Sequence, residues 1–167
     1  MAKFPKNNSG YALIETLFYI ALLVILSIAV INSIITMTRA FKETAIHAEL
    51  MQGGVILERI SREVRQADGV VAISPTTLEL ASTDAGGAPK SVEFVFSGGN
   101  IELWENDISR GFLNTSNIIV GNVVFSQIIT AEGEAVKIFL TISSSHDALG
   151  RSADYYNTVA LRGIYAE

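Results

Sequence analysis

Histidine, serine and aspartate are among the side chains of this sequence that could do acid–base or nucleophilic chemistry. The two histidines, His47 and His146, are far apart in the chain and stand in no metal-ligand spacing such as His-x-x-x-His. Residues Ser143–Asp147 include a nucleophile, a base and an acid. Neighbouring residues of a loop rarely converge as a catalytic triad, because a triad is assembled from distant parts of a fold. We therefore expect solvated or capping histidines, and no catalysis from Ser143–Asp147.

Other candidate sites are weaker still. Asp147 and Asp154 flank a loop whose carboxylates could attract Ca²⁺, but no EF-hand pattern is present, so a solvated loop is expected and calcium binding stays open. The sequon at Asn114 is short enough to occur by chance. Trp104 and Phe112 are expected in the core. Since no constellation remains, the sequence predicts no enzyme, no cofactor and no metal site.

Composition excludes further kinds of functional site. The chain has no cysteine, which excludes disulfides, thiolate metal sites and thiol catalysis. Its formal charge is −5, and no basic cluster of the kind that phosphates select is present, so no direct nucleic-acid contact is predicted. The 49% hydrophobic content is concentrated near the N-terminus, and it therefore reflects one segment rather than the whole chain.

That N-terminal segment contains one residue that demands a chemical explanation. Residues 1–10 are polar and carry Lys3 and Lys6, whereas Tyr11–Ile35 is apolar on every side and long enough to span a membrane. Glu15 lies near the start of the apolar stretch. A carboxylate deep in a bilayer costs about 2.5 kcal/mol or more, so Glu15 needs a partner, a function, or a position near enough to the interface to snorkel.

An ordinary secretory signal peptide also begins with a short basic region followed by an apolar one. Two features count against it here. The end of the apolar stretch and the residues after it, Asn32–Arg39, contain no small-x-small cleavage site. In addition, Glu15 interrupts the stretch itself. The basic residues before the stretch place the N-terminus in the cytoplasm and the chain beyond Ile35 outside it.

The segment Gly10–Leu17 resembles the N-terminal signal of type IV prepilins and type II secretion pseudopilins. In that family a short basic leader ends in Gly, an aromatic residue follows, and a Glu is fifth in the mature chain. Gly10, Tyr11 and Glu15 match this pattern, with Tyr11 where Phe is usual. Gly at such a junction leaves room for the extended backbone that a protease binds.

The resemblance implies both a processing route and a set of partners. A prepilin peptidase would cut between Gly10 and Tyr11 and methylate the new amine of Tyr11. Glu15 would pair with the N-terminal amine of a neighbouring subunit, since a buried carboxylate and a buried ammonium each need the other. The family further implies a single-pass protein of the bacterial cytoplasmic (inner) membrane, in contact with lipid. It would then assemble outside the cytoplasm with other pilin or pseudopilin subunits, driven by a membrane platform and an ATPase.

Beyond the membrane segment the helix is expected to continue, because neither Pro nor Gly occurs in residues 11–52. Gly53–Gly54 would mark a bend or close packing against a sheet, and Asp68–Gly69 would end a helix about 85 Å long. Apolar and small residues at steps of three and four share one face: Ile46, Leu50, Gly53, Leu57, Ile60, Val64 and Ala67. The polar remainder comprises Glu49, Gln52, Glu58, Arg59, Arg62, Glu63 and Arg65, with the arginines solvated beside glutamates.

The remaining chain reads as strands and turns. Alternation predicts strands at Thr77–Leu80, Ser91–Phe96, Asn100–Trp104, Ile118–Ile129, Val136–Ile142 and Tyr156–Arg162. Gly98–Gly99 predicts a hairpin, and Gly121–Asn122 interrupts its strand. Residues Ser82–Lys90, Asn106–Ser116 and Ser143–Asp154 are predicted loops. The predicted fold is α+β: a long N-terminal helix packed on a C-terminal antiparallel sheet.

Four regions follow from this pattern: leader 1–10, transmembrane or filament-core helix 11–35, amphipathic helix 36–68, and β-rich domain 69–167. The helix end Leu57–Ala67, the stretch Asn114–Phe125 and the terminal Thr158–Arg162 are similar to W-type minor pilins and pseudopilin J. They favour a minor subunit, as do the absent cysteines and Asn32 where major pilins often have Pro. Two alternatives remain: a single-span membrane anchor for a binding or sensing β domain, and a secreted enzyme.

Overall fold

The computed structural model describes residues 9–84, 86–131 and 133–162, with side chains described from Ala12 onward. The expected leader therefore lies almost wholly outside the described residues. The chain divides into two compact units, Met1–Thr44 and Ala45–Glu167. The described residues of the first form the N-terminal part of a helix, and the second is a β-rich domain that includes the end of that helix.

The long helix is α1, Ser9–Gln66, with 58 residues. It runs through Gly53 and Gly54 without interruption, and the basic residue in its last turn, Arg65, suits the negative end of the helix dipole. It ends two residues before the predicted Asp68–Gly69 stop. Ala67 is instead the first residue of a strand and is fully buried.

Eight antiparallel strands follow, in two sheets rather than the single sheet predicted. The first sheet has the order β1-β2-β3-β4-β5, so each strand pairs with its neighbour in sequence. Its strands are β1 (Ala67–Ile73), β2 (Thr77–Thr83), β3 (Pro89–Ser97), β4 (Asn100–Glu105) and β5 (Ile108–Phe112). The second sheet has the order β6-β7-β8. Its strands are β6 (Ile118–Thr130), β7 (Gly133–Ser144) and β8 (Ser152–Ala160).

The core lies where α1 and the inner faces of both sheets meet. Alternation sets which residues turn inward: Val136, Ile138, Leu140 and Ile142 of β7 are all fully buried, as predicted. Ile60 and Val64 of α1 are also fully buried and belong to the same cluster. The inward residues of the first sheet that complete it are Leu78, Leu80, Val92, Phe94, Ile101 and Leu103.

Turn chemistry fixes the register of the first sheet. Gly98 and Gly99 have positive φ angles of 58° and 81°, and Ser97 pairs with Asn100, which gives the predicted two-residue hairpin. Asn106 and Asp107 also have positive φ, at 51° and 62°, and they form a second two-residue hairpin into β5. Strand β5 thus occupies part of the predicted Asn106–Ser116 loop, so that loop prediction was wrong.

The interruption predicted at Gly121–Asn122 is confirmed as a β-bulge: the pairing of β6 with β7 shifts register between Val120 and Asn122 and then continues. One further expectation was wrong. Phe112 was expected in the core, but its side chain is 63% exposed on the outer face of the first sheet, opposite Glu102. Trp104, on the same face, is half-buried.

Candidate functional site

Glu15 is the one charged residue of α1 between Ser9 and Thr38. It lies one turn before Tyr19, and the Tyr19 hydroxyl donates a hydrogen bond of 3.2 Å to Glu15 Oε1. Both side chains are exposed on the helix surface. The described part of this unit therefore leaves the carboxylate accessible, with one neutral donor from the same helix.

The surface around Glu15 is apolar and uncovered. Every described side chain from Ala12 to Thr44 is exposed, including Leu17, Phe18, Leu23 and Ile25 at 60% or more. Among the described residues one helix is long and apolar enough to cross a membrane, and its mean hydropathy reaches 2.6. So large an apolar surface is not stable in water, and it requires lipid or other protein.

Most of the described hydroxyl groups of this segment donate hydrogen bonds within the helix itself. Ser27 donates to the Leu23 carbonyl at 2.8 Å, and Thr36 donates to the Asn32 carbonyl at 2.9 Å. Thr16 and Thr38 bond in the same way to carbonyls one turn back. A hydroxyl with an acceptor in its own helix can enter hydrocarbon without leaving that donor unsatisfied.

The predicted cleavage junction lies at the beginning of α1. The backbone of Gly10 and Tyr11 belongs to the first turn of the helix, which starts at Ser9. The first turn has no preceding carbonyls to bond its amides, so it is the part of a helix that opens most easily. A protease that binds extended backbone would have to unwind only this turn.

In the β-rich unit, the second half of α1 packs closely against β8. A Cβ atom on Gly53 would come within 2.6 Å of the Tyr155 ring and 2.8 Å of Ile142 Cδ1, so this position requires glycine. The Tyr155 hydroxyl donates to the Leu50 carbonyl at 2.8 Å. Asn157 donates to the buried Ser61 hydroxyl at 3.0 Å. Of the two predicted alternatives, close packing is therefore confirmed, and it is at Gly53.

Glu49 joins α1 to the segment after β7. Its carboxylate accepts a short hydrogen bond from the buried Ser144 hydroxyl, and its Oε1 lies 3.1 Å from His146 Nδ1. The pKa of Glu49 is lowered, chiefly by the hydrogen bond from Ser144. Burial acts in the opposite direction, and the nearby His146 lowers the pKa further. Glu49 was predicted on the polar face, yet its side chain is only 15% exposed.

This arrangement brings serine, histidine and a carboxylate together without the order that nucleophilic catalysis needs. In a catalytic triad the imidazole bonds the hydroxyl and the carboxylate bonds the imidazole. Here the Glu49 carboxylate lies between the two, and His146 reaches Ser144 through its backbone N–H, at 3.1 Å from the hydroxyl oxygen. What the geometry supports is a link between α1 and the sheet.

The Asp147 carboxylate accepts hydrogen bonds from residues of its own loop. Leu149 and Arg151 donate backbone N–H bonds to it at 3.1 and 3.0 Å, and Arg151 Nε lies 2.7 Å from Oδ2. The Arg151 guanidinium is the main reason that the pKa of Asp147 falls to about 2. Asp154 accepts a hydrogen bond from Thr141 at 2.8 Å. In the described residues no group of three or more His, Cys, Asp or Glu side chains is placed to hold a metal ion.

Asn114, the asparagine of the sequon, has a structural role. Its Oδ1 accepts the Ile101 N–H at 3.1 Å, while its Nδ2 donates to Asn100 Oδ1 and to the Ile118 carbonyl, both at 2.9 Å. The residue is 7% exposed. Its amide nitrogen thus connects the first sheet to the start of β6, and it is inaccessible to glycosylation. Sequence patterns gave no signal for this role.

The arginine run on α1 is mostly paired, as predicted. Arg59 bonds Glu63 at 3.1 Å, one turn away, and Arg65 bonds Glu58 at 3.2 Å. Glu63 was predicted on the polar face of the helix, but it is only 8% exposed. No described carboxylate lies within ion-pair distance of Arg62, whose side chain is exposed.

Comparison with known proteins identified no relatives. No protein-family model matches the chain, and no characterised protein and no solved structure gave a significant match.

Proposed function

We propose that this chain is a structural subunit, a minor pilin or pseudopilin, of a type IV pilus or type II secretion pseudopilus. The observation that carries the proposal is Glu15: a lone carboxylate on an exposed apolar helix surface, fifth after the Gly10–Tyr11 junction. The continuation of that helix into a β-rich domain supports it, because one element then has both an apolar segment and a folded domain attached.

In the proposed mechanism the chain is first a single-pass protein of the bacterial inner membrane, with its N-terminus in the cytoplasm and lipid around the apolar segment. A prepilin peptidase hydrolyses the Gly10–Tyr11 bond, which frees the amine of Tyr11. It then transfers to that amine a methyl group from a sulfonium methyl donor, which leaves as the thioether, and the methylated amine takes up a proton to become an ammonium group. Subunits leave the bilayer and pack helix against helix, driven by an assembly platform and its ATPase. Their filament lies outside the cytoplasm.

Glu15 would set the register of that packing. A carboxylate and an ammonium that are each buried alone are costly, whereas together they offset much of the cost. The Tyr11 amine of one subunit and Glu15 of its neighbour would therefore meet at one fixed stagger. The Tyr19 hydroxyl, already bonded to Glu15 Oε1, would hold the carboxylate in place.

The processing step is tested by intact mass and N-terminal sequencing of the full chain, produced with and without a prepilin peptidase. We expect a mature chain that begins at methylated Tyr11 only when the peptidase is present. A chain that still begins at Met1 would favour the alternative of a single-span anchor for a binding or sensing β domain. A chain that begins after about residue 38 would indicate a conventional signal peptide.

The assembly step is tested by Glu15→Gln, which removes the charge and keeps the shape. We expect normal cleavage and a more than tenfold loss of incorporation into filaments, because breaking a buried ion pair costs about 3–5 kcal/mol. Thr16→Ala is the matched control: it changes the adjacent residue and removes only a hydroxyl bonded to the Ala12 carbonyl. Normal incorporation of Glu15→Gln would refute the pairing role.

A further inference from the structure

An open groove lies in the β-rich unit between α1 and the segment that follows β5. Its volume is about 540 Å³, and Met51, Val55 and Leu113 form its apolar lining. Met51 and Val55 are 73% and 71% exposed, unlike the core residues on the opposite face of the helix. Two large apolar side chains side by side in water indicate a surface that another molecule covers.

The groove also carries positive charge that the chain does not neutralise. Arg59, Arg62 and Glu58 line it. Arg59 is paired with Glu63 and Glu58 with Arg65, whereas Arg62 has no carboxylate partner among the described residues. The Arg59 Nε atom is buried and has no hydrogen-bond acceptor in the part of the chain that the structure describes. A buried donor without an acceptor is costly, and an approaching carboxylate would relieve that cost.

A surface of opposite character lies on the outer face of the first sheet. Glu79 on β2 is directly opposite Glu93 on β3, which is directly opposite Trp104 on β4. In the adjacent row Glu102 is opposite the exposed Phe112. Like charges at directly opposed positions destabilise a sheet, and no described cation is paired with Glu79 or Glu93. We call these five residues the acidic face.

We infer that the groove of one copy of this chain receives the acidic face of a second copy. Apolar Met51, Val55 and Leu113 match Trp104 and Phe112. The groove's arginines match the unpaired glutamates, so charge and apolar surface are complementary on both sides.

Because the two surfaces are different patches, the contact is head-to-tail. Each subunit offers one free groove and one free acidic face, so the contact repeats along a chain of copies instead of closing as a two-fold dimer. This inference rests on the proposed function, since it identifies where the domains of neighbouring filament subunits meet.

Cross-linking tests the contact in the full chain, which has no cysteine of its own to give background. Two differently tagged copies, one with Val55→Cys and one with Phe112→Cys, are produced together in membranes and treated with a short bis-maleimide. We expect cross-linked heterodimers. The control replaces Phe112→Cys by Leu149→Cys. Leu149 is at least as accessible, at 78% against 63% exposure, but it lies between β7 and β8 of the second sheet and not on the acidic face.

Charge reversal supplies the specificity test. Adding Arg62→Glu to the Val55→Cys copy should lower the cross-link yield more than tenfold, since like charges at an interface cost several kcal/mol. Adding Glu93→Arg to the Phe112→Cys copy should restore it. A yield equal to the Leu149→Cys control, or one indifferent to Arg62→Glu, would overturn the contact.

The same samples separate this contact from the proposed function. Cleavage at Gly10–Tyr11 and filament formation are scored in parallel. Glu15-dependent filaments without the cross-link would refute the contact alone. A charge-dependent cross-link in a chain that the peptidase leaves uncut would support the contact and refute the proposed processing.

Discussion

The side chain at position 53 of α1 is a single hydrogen atom, because the Tyr155 ring occupies the space where a Cβ would be. The ring cannot easily withdraw, since its hydroxyl is bonded to the Leu50 carbonyl at 2.8 Å. Gly54, the next residue, is different: a Cβ there would lie 3.7 Å from the same ring, an ordinary contact. Two neighbouring glycines therefore have different physical reasons to be present.

Gly53→Ala should destabilise the protein by about 1–3 kcal/mol, because the added methyl overpacks the interface between α1 and β8. Gly54→Ala, the matched control, should be neutral or should stabilise by up to about 1 kcal/mol through helix propensity. The measurement is thermal unfolding of the full chain in detergent, followed by the fluorescence of Trp104, its one tryptophan. Equal effects of the two substitutions would contradict close packing at Gly53.

Glu49 makes the attachment of α1 to the sheet dependent on pH. The Ser144 hydroxyl and His146 hold the pKa of Glu49 below its ordinary value of 4.5 in the folded protein. The unfolded chain then binds more protons than the folded one between the two pKa values. The contribution of Glu49 is thus complete above about pH 4.5 and is lost as pH falls through its folded pKa.

Glu49→Gln should lower the unfolding midpoint at pH 7, and its difference from the natural chain should shrink as pH falls below about 4.5. Asp147 has a folded pKa of about 2, so its contribution to stability persists to lower pH than that of Glu49. That contribution is the same in both proteins and does not mask the effect. Ser144→Ala should reproduce most of the change, because the Ser144 hydroxyl is the largest cause of the Glu49 shift. A difference that stays constant from pH 7 to about 3 would show that Glu49 acts through shape alone.

At the scale of elements, α1 has a buried and an exposed apolar face within the β-rich unit. Ile60 is fully buried, whereas Val55 is 71% exposed in the groove. Helical periodicity predicted the buried face correctly through Ile46, Gly53, Ile60 and Val64. It did not predict that Ser61 and Glu63 are buried too. Those positions depend on what the facing strands offer, and a helical period cannot report that.

Ile60→Ala should cost about 2–5 kcal/mol of stability, because it leaves a cavity in the shared core. Val55→Ala should stay within about 0.5 kcal/mol of the natural chain, since it removes little buried area from a lone subunit. Both are measured by thermal unfolding in detergent at equal protein concentration. A large effect of Val55→Ala would mean that the groove is already filled in the isolated chain.

Strand β5 shows why short edge elements escape prediction. Residues Ile108–Phe112 are exposed apart from the half-buried Gly111, so no alternation of apolar and polar side chains marks them. The available signal was Asn106–Asp107, two residue types that tolerate positive φ, placed directly after a strong strand. Polar residues and Gly111 in the segment after this turn made it look like a loop.

At the scale of the molecule, the core belongs entirely to one of the two compact units. Every member of the hydrophobic cluster lies in residues 56–161, inside the unit Ala45–Glu167. The described residues of the other unit contribute an exposed apolar helix and no core residues. The two units therefore need different environments.

A chain that begins at Ala45 should be soluble without detergent and should keep the β-rich circular dichroism spectrum and cooperative unfolding of the domain. The full chain should require detergent or lipid, because it exposes Leu17, Phe18, Leu23 and many similar side chains. The measurements are sedimentation and circular dichroism of the two chains side by side. Aggregation of the shorter chain would mean that residues before Ala45 help to form the core.

The sequence by itself determined the elements whose signals are local. A long apolar run predicted the membrane-length helix, alternation predicted most strands, and one glycine pair predicted the first hairpin, because each depends on neighbours in the chain. The sequence also identified Glu15 as a candidate functional residue, because a single charge in an apolar stretch is evident without any tertiary structure.

Only the tertiary structure decided the rest. It divided the strands into two sheets and brought Glu49 to Ser144 and Tyr155 to Gly53. It also buried Asn114 at the sheet connection and placed Arg62 beside an uncovered groove. These contacts join residues far apart in sequence, and they form because the packed core fixes which surfaces face each other.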